Sequence, residues 1–182
     1  NYNGINDTRE CLSSLILSTY SNFQILVIDN GSKNDQAIIL QNEFKDSRIK
    51  ILRSQENLGF AGGNNLGIEQ SQTDFVVLLN NDTTVEPMWL NELIKVAITD
   101  DQIGALQPKL RSYKNKEYFE YAGAVGGFID KLGYPYCRGR IGFALEKDEG
   151  QYDTNTEIFW ASGSCIMLRK KILTEVGLLP TL

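Results

Sequence analysis

Asp82 closes the segment FVVLLNND, residues 75–82, in which an apolar run gives way to two amides and a carboxylate. An unbroken Val/Leu run reads as a strand buried on both faces of a parallel sheet, and ligands of such sheets gather at the strands' carboxyl ends. A carboxylate there can hold a hard divalent cation, which in turn neutralises the phosphates of a nucleotide. Asn80, Asn81 and Asp82 are equally suited to forming a turn, because each side chain can bond its own backbone. A second carboxylate, Asp29, ends the run ILVID and is followed by Asn30 and Gly31. It can meet a nucleobase edge or a ribose, or it can make an Asx turn. Gly59, Gly62 and Gly63 stand at a helix start and admit close backbone approach by a phosphate or sugar. They fit neither the G-x-G-x-x-G dinucleotide pattern nor the P-loop pattern. Tyr2, beside Asn3, can stack on a base or simply pack. Trp160, ahead of Ala161, Ser162 and Gly163, can be a platform for a sugar ring or a core residue.

The composition narrows the chemistry. The chain has 182 residues, 42% of them hydrophobic, which suits one ordinary globular domain with a substantial core. Eighteen basic and 23 acidic residues leave a net charge of −5, the wrong balance for gripping a nucleic-acid duplex. Histidine is absent, which removes Ser-His-Asp triads and imidazole bases or metal ligands. Catalysis must rest on carboxylates, amides, hydroxyls and metal. Cys11, Cys137 and Cys165 are too few and too scattered for a disulfide framework or a Cys-rich zinc site, and read as reduced cytoplasmic thiols. No apolar run approaches the ~20 residues of a membrane span.

The elements that would position these residues alternate. Leu12, Leu15, Ile16 and Thr19 recur at helical spacing, predicting a helix over 6–20 capped by Asp7 or Thr8. Residues 23–32 predict a strand, 35–44 a helix and 49–54 a strand. A helix then runs to about Ser71, ahead of a strand over 75–79. Pro87, read as a first helical position, opens a helix that fades by Asp100. The result is a βαβ array with a mainly parallel sheet. Beyond Gln102 the pattern loosens. Residues 103–107 predict a short strand, and 112–151 predict strands and loops decorating one face, with a mobile segment around Glu146 to Asp153. A strand over 164–168 and a helix over 170–176, closed by Gly177, end the chain. Residues 1–100 are expected to form a βαβ half, and 101–182 a second half of the same domain with a smaller mixed β region.

Tyr-Asn-Gly, VIDNGS, ENLGFAGGNNLGI, LLNNDTTVEP and WASGSCIMLRKKILTEVGLLP, taken in that order, resemble the family 2 glycosyltransferases of the GT-A fold. Within that family the chain is most similar to the bacterial rhamnosyltransferase-like branch of cell-surface polysaccharide synthesis. The resemblance implies an inverting transfer of a sugar from a UDP- or dTDP-linked donor, dTDP-rhamnose included, to a glycan or lipid-linked acceptor in building the cell envelope. It implies that residues 1–100 are the nucleotide-sugar-binding half and 101–182 the acceptor-side half, with donor contacts by Tyr2, Asn3, Asp29, Asn30, Gly59, Asn64, Asn65 and Asn81. Asp82 matches the last carboxylate of the family's DxD-type motif, bridging Mg²⁺ or Mn²⁺ to the diphosphate; Asn80 stands where a first Asp often stands. Trp160, Ser162 and Gly163 match the segment lining the acceptor side. Such an enzyme would be cytoplasmic and would work at the inner face of the plasma membrane, with peripheral association with that membrane.

Two departures from the family pattern shape the expectation. The family's first strand precedes Tyr-Asn-Gly, and its catalytic Glu-Asp pair follows the Gly-Leu-Leu-Pro segment, so the chain reads as truncated at both ends with its general base beyond Leu182. Two rival readings fit a similar sheet: a sugar-phosphate nucleotidyltransferase, which would need a basic Gly-rich loop near its start, and a non-catalytic nucleotide-sugar or glycan binding module.

Overall fold

A computed structural model describes residues 1–181. Two compact units emerge. The first comprises Asn1–Val76, Asn81–Gly104 and the chain from Leu168 onward; the second comprises Val77–Asn80 and Ala105–Met167.

In the first unit, helix α1 (Ile5–Leu15) is followed by strand β1 (Ile25–Asn30), α2 (Gln36–Glu43), β2 (Ile49–Ser54) and α3 (Gly59–Gln70), and, after β3 (Phe75–Leu79), whose last three residues belong to the second unit, by α4 (Trp89–Ala97). α1 buries Thr8, Cys11, Leu12 and Leu15, and α4 buries Leu90, Leu93 and Ala97, each a stripe at three- and four-residue spacing. Leu12, Leu40 and Ile68 are at most 2% exposed, and each such side chain contributes about 1.5–3 kcal/mol of burial free energy. β1 and β2 pair in parallel from Ile25 opposite Ile49 to Asn30 opposite Ser54. β1 buries Ile25, Val27 and Asp29 on one face, so a carboxylate lies in the row of core residues.

α1 departs from its expected bounds at both ends. It begins at Ile5, with Gly4 as its N-cap, because the Asn1 carboxamide oxygen already accepts the Gly4 N–H at 3.1 Å; Thr8 becomes an interior residue. It ends at Leu15, because Thr19 is drawn off to the carbonyl of Pro87, to which its N–H donates at 2.9 Å.

The chain returns to the first unit at Leu168. Arg169 explains why: its guanidinium donates to the carbonyls of Ile103 at 2.9 Å, Ala97 at 2.7 Å and Asp100 at 3.1 Å, satisfying the carboxyl end of α4.

The second unit is built from short strands: β4 (Ala105–Leu106), β5 (Gly127–Ile129), β6 (Pro135–Cys137), β7 (Arg140–Ile141), β8 (Ala144–Leu145) and the first three residues of β9 (Cys165–Arg169); α5 (Lys170–Val176) follows in the first unit. β3, β9 and β4 make a three-stranded sheet in that order; β5–β6 and β7–β8 are antiparallel hairpins. The α/β character is as expected, but among the described residues the strands divide into four small sheets, with the β1–β2 ladder parallel. Phe119, wholly buried, centres this unit against Tyr152 at 5.6 Å between rings. The segment expected to be mobile is tied down: Lys109 pairs with Asp148 at 2.8 Å and with Asp153, and Glu146 accepts from Gly139 N–H and the Tyr152 hydroxyl, both at 3.0 Å.

Candidate nucleotide-sugar site

The carboxyl end of β1 is where the predicted residues converge. Asp29 is wholly buried; its Oδ1 accepts from Asn1 Nδ2 at 2.9 Å, while Oδ2 has no hydrogen-bond partner and lies 3.9 Å from Arg53 Nε, on the neighbouring strand position. A buried carboxylate oxygen without a donor is costly, and such sites are where a ligand, an ion or water is to be looked for. The Asn1 carboxamide is the hub. Its Nδ2 also lies 3.1 Å from Ser32 Oγ and 3.1 Å from Gln36 Oε1, three acceptors for two hydrogens. Its backbone flanks β1, the amine donating to Ile28 O at 2.7 Å and the carbonyl accepting Asn30 N–H at 2.8 Å.

Asn3 adopts a left-handed backbone, φ 55°, and locks the same corner. Its N–H donates to Ser32 Oγ at 2.9 Å, and its Oδ1 accepts the Lys33 N–H at 2.9 Å. Tyr2 between these anchors is left 52% exposed at the rim, suited to stacking.

Asn30 shapes the entry to α3. Its Nδ2 donates to Asn57 Oδ1 and Gly59 O, both at 3.0 Å, and its Oδ1 accepts the Leu58 N–H at 2.9 Å. The glycines there have separate reasons. A Cβ on Gly63 would sit 3.0 Å from Asn30 Nδ2, and one on Gly31 would sit 2.6 Å from the Glu56 carbonyl carbon, so both positions serve close packing. Gly59 differs: φ is +70° and open space lies where its Cβ would be, leaving bare backbone at the start of α3.

The other α3 residues divide. Asn64 donates back to Phe60 O at 2.9 Å on its own helix. Asn65 donates to Leu179 O at 2.8 Å and accepts Leu179 N–H at 3.0 Å, which turns its carboxamide to the segment after α5 rather than to β1.

Asn81 Nδ2 donates to Thr8 Oγ1 at 2.9 Å, and Thr8 in turn donates to Asn1 Oδ1 at 3.1 Å, so a relay of hydrogen bonds joins the turn after β3 to Asp29. Asp82 beside it is exposed. Its charge reaches the Cys11 thiol, whose pKa rises to about 11 through burial first and the Asp82 charge in addition, against the opposing hydrogen bond with Thr83. Among the described residues no three His, Cys, Asp or Glu side chains assemble into a metal cage. One exposed carboxylate fits a cation that completes its shell with diphosphate and water oxygens, the habit of Mg²⁺.

The residues assigned to the acceptor side lie in the second unit. Trp160 pairs with Gly127, accepting its N–H at 2.9 Å, and its indole lies against Gly127 and Gly123; a Cβ on Gly123 would fall 2.9 Å from Cζ3. Its Nε1 is buried without a partner. Ser162, 8% exposed, donates its N–H to Gln107 Oε1 at 2.6 Å, and Gln107 Nε2 donates to Gly123 O at 2.6 Å. Gly163 follows in the turn that leads to β9.

Asn1, Thr8, Arg53 and Gln107 belong to these networks without being among the sequence-predicted site residues. Only Arg53 carries a signal, a cation near the end of the next predicted strand, 49–54.

The family profile described as "Glycosyl transferase family 2" matches residues 1–177. The chain is 26% identical over 171 residues to the O-antigen biosynthesis protein RfbC of Myxococcus xanthus, covering 93% of this chain and 13% of that protein. It is 31% identical over 117 residues to an uncharacterized glycosyltransferase of Haemophilus influenzae, covering 64% of this chain and 36% of the relative. The chain thus spans well under half the length of these two proteins. Among solved structures, S. aureus TarS in complex with UDP-GlcNAc is similar with a TM-score of 0.66 at 16% identity, covering 99% of this chain and 46% of that one. The mannosyltransferase PcManGT of Pyrobaculum calidifontis, in complex with GDP-Man and Mn²⁺, has a TM-score of 0.66 at 13% identity, covering 99% and 45%. At these identities the likeness is one of fold, and it bears out the GT-A-like α/β expectation.

Proposed function

The chain belongs to glycosyl transferase family 2, and from that premise we propose that it binds a UDP- or dTDP-linked sugar at the end of β1 and passes the sugar, with inversion, to a glycan or lipid-linked acceptor in polysaccharide synthesis. The observation that carries the reading is the convergence, within one unit, of the half-exposed Tyr2, the orphaned oxygen of Asp29 and the bare backbone of Gly59. The bound ligands printed for the two solved neighbours, UDP-GlcNAc and GDP-Man, support a nucleotide sugar as the class of donor. A dTDP-rhamnose donor rests on the resemblance of the motifs alone.

Tyr2 stacks on the pyrimidine, and the corner held by Asn3 and Asn30 fixes the distance between that ring and the backbone of Gly59, which faces the diphosphate. Asp29 accepts from the base or ribose through Oδ2, with Arg53 balancing its charge. Asn81 supports this side through Thr8, while Asn64 and Asn65 hold α3 and the segment after α5, and Trp160, Ser162 and Gly163 serve the acceptor. Asp82 would hold Mg²⁺ or Mn²⁺, which when bound neutralises the departing diphosphate. The acceptor hydroxyl must lose a proton to a base as it attacks, and no described residue is assigned that role.

Calorimetric titration of UDP and dTDP, with Mn²⁺ or Mg²⁺ and again with chelator, tests the reading. Binding that needs the metal is the expected result. Binding indifferent to metal would favour a binding module, and absence of binding by a folded sample would overturn the donor site.

A further inference from the structure

The β5–β6 hairpin of the second unit has two unlike faces. Alternation along β5 sends Gly127 to one face and Phe128 to the other. The Gly127 face is closed: the Trp160 indole leaves no room for a Cβ there, and Cys137, opposite Gly127 on β6, is buried. The Phe128 face is open. Phe128 stands opposite Tyr136, and their rings are stacked, 5.5 Å between centres and 24° between planes. The ladder continues past the strands, Asp130 N–H donating to Tyr134 O at 3.0 Å, so Tyr134 and Tyr136 share this face about 7 Å apart along the chain. Tyr134 is 67% and Tyr136 51% exposed.

Arg138 extends the strip of rings. Its guanidinium lies over Phe128, 4.7 Å from the ring centre, and over Tyr152 at 5.5 Å. Such contacts balance part of a cation's charge and hold it in place, but they do not use its fork of N–H donors. Among the described residues no carboxylate or carbonyl takes those donors. The two carboxylates at hand are engaged elsewhere. Glu146 accepts the Gly139 N–H and the Tyr152 hydroxyl, both at 3.0 Å, and Asp130 accepts the N–H groups of Leu132 at 2.8 Å and Tyr134 at 2.9 Å.

A half-exposed arginine set among rings and lacking an anion is complementary to one brought by a ligand. The sequence around it agrees: from Lys131 to Leu145, KLGYPYCRGRIGFAL holds three cations and no acidic residue, in a chain of net charge −5. The rings beside the arginine are flat, nearly parallel and exposed, a shape that suits another flat ring. A peptide partner would instead ask for a pocket to take an anchoring side chain.

We propose that the Phe128 face of the β5–β6 hairpin binds an acidic glycan, with pyranose rings on Tyr134 and Tyr136 and a carboxylate or phosphate of the same chain on Arg138. The weakly positive C–H edge of a sugar meets the negative face of an aromatic ring, and the guanidinium fork matches the paired oxygens of either anion. This surface lies on the other side of β5 from the Trp160 indole, so it is a hold on the glycan separate from Trp160, Ser162 and Gly163. The inference deepens the glycan-acceptor reading, on which it rests for its purpose, by giving that glycan a negative charge and a second point of contact.

The test is native electrophoresis of the chain through gels cast with polygalacturonate, its neutral methyl ester, phosphomannan or unphosphorylated mannan. Retardation by an acidic polymer and not by its neutral counterpart, weakened by salt, is expected, and the acidic polymer that retards distinguishes carboxylate from phosphate. Arg138→Gln should weaken the binding about tenfold or more, the scale of a lost charge-assisted pair, and Arg138→Lys should recover only part of it because the fork is gone. Tyr136→Ala should weaken it as well, with far-UV circular dichroism unchanged. As a readout that does not depend on lost binding, the emission of Tyr136→Trp should change when the retarding polymer is added. No retardation by either acidic polymer, equal retardation by the neutral ones, or retardation untouched by both substitutions would overturn the proposal. Retardation by polyglutamate alone would overturn it in favour of an acidic peptide, and self-association that Tyr136→Ala abolishes, without retardation, in favour of a contact between copies. The nucleotide titration is independent: a sample that is retarded but binds no nucleotide would sustain this face and overturn the donor site.

Discussion

Asn65 and Leu179, 114 residues apart, hold each other through two hydrogen bonds, the side-chain Nδ2 to the Leu179 carbonyl at 2.8 Å and the Leu179 N–H to Oδ1 at 3.0 Å. An amide is the one side chain of this size that can both give to and take from a single backbone residue. The pair fastens the segment after α5 to the middle of α3, and with Arg169 it explains why the chain beyond Leu168 belongs with the first unit.

Asn65→Ala should therefore act on stability first. Removing both bonds leaves the Leu179 amide group without its partners, and urea unfolding should show a loss of about 1–3 kcal/mol. UDP affinity in the folded variant should change little. A large loss of affinity without loss of stability would return Asn65 to direct contact with the donor.

Asp82→Ala addresses the metal. If the Asp82 carboxylate links cation to diphosphate, the substitution should weaken metal-dependent UDP binding by about 1–3 kcal/mol, the scale of a lost charge-assisted contact. Binding measured with chelator present should be the same in both proteins. Unchanged affinity in the presence of Mn²⁺ would remove Asp82 from the site.

The glycines of the corner separate packing from approach. Gly31→Ala combines a φ of +76° with a Cβ 2.6 Å from the Glu56 backbone, so unfolding should show more than the ~1–2 kcal/mol of left-handed strain alone. Gly59→Ala meets open space at φ +70° and should cost only that strain. Its larger effect should fall on nucleotide affinity, read by the same calorimetric titration, if its backbone faces the diphosphate.

These positions also mark how far the sequence could be read. The strands and helices over 25–30, 36–43, 49–54, 75–79 and 170–176 were legible because each has its own period and its own polar or glycine stop. The start of α1 was not, since it depends on an amide at Asn1 that no helical pattern includes. Asp29, Asn30 and Asp82 stood out as polar groups after apolar runs. Asn30's grip on the 57–59 loop and the glycine seat of Trp160 did not, because both are contacts between segments distant in the chain. The division of the strands into several sheets was hidden for the same reason: alternation tells which face of a strand is buried and says nothing of which strand lies beside it.

Cys11 gives a pH-dependent prediction. Burial raises its thiol from 9.0 to about 11, with the Asp82 charge adding to the effect and Thr83 opposing it. The folded state keeps the proton that the unfolded chain releases, so the contribution to stability is fully present below pH 9 and is lost as the pH rises through 11. The two-unit difference corresponds to roughly 2–3 kcal/mol. Urea unfolding of the native chain should show stability falling across that window, and Cys11→Ala should flatten the fall. At neutral pH the thiol should resist iodoacetamide until the protein is unfolded, since the thiolate is the reactive form and the site holds it protonated. Rapid labelling of Cys11 in the folded protein, or an identical slope in Cys11→Ala, would show that the α1 face beneath Asp82 opens to solvent instead of packing against Thr83.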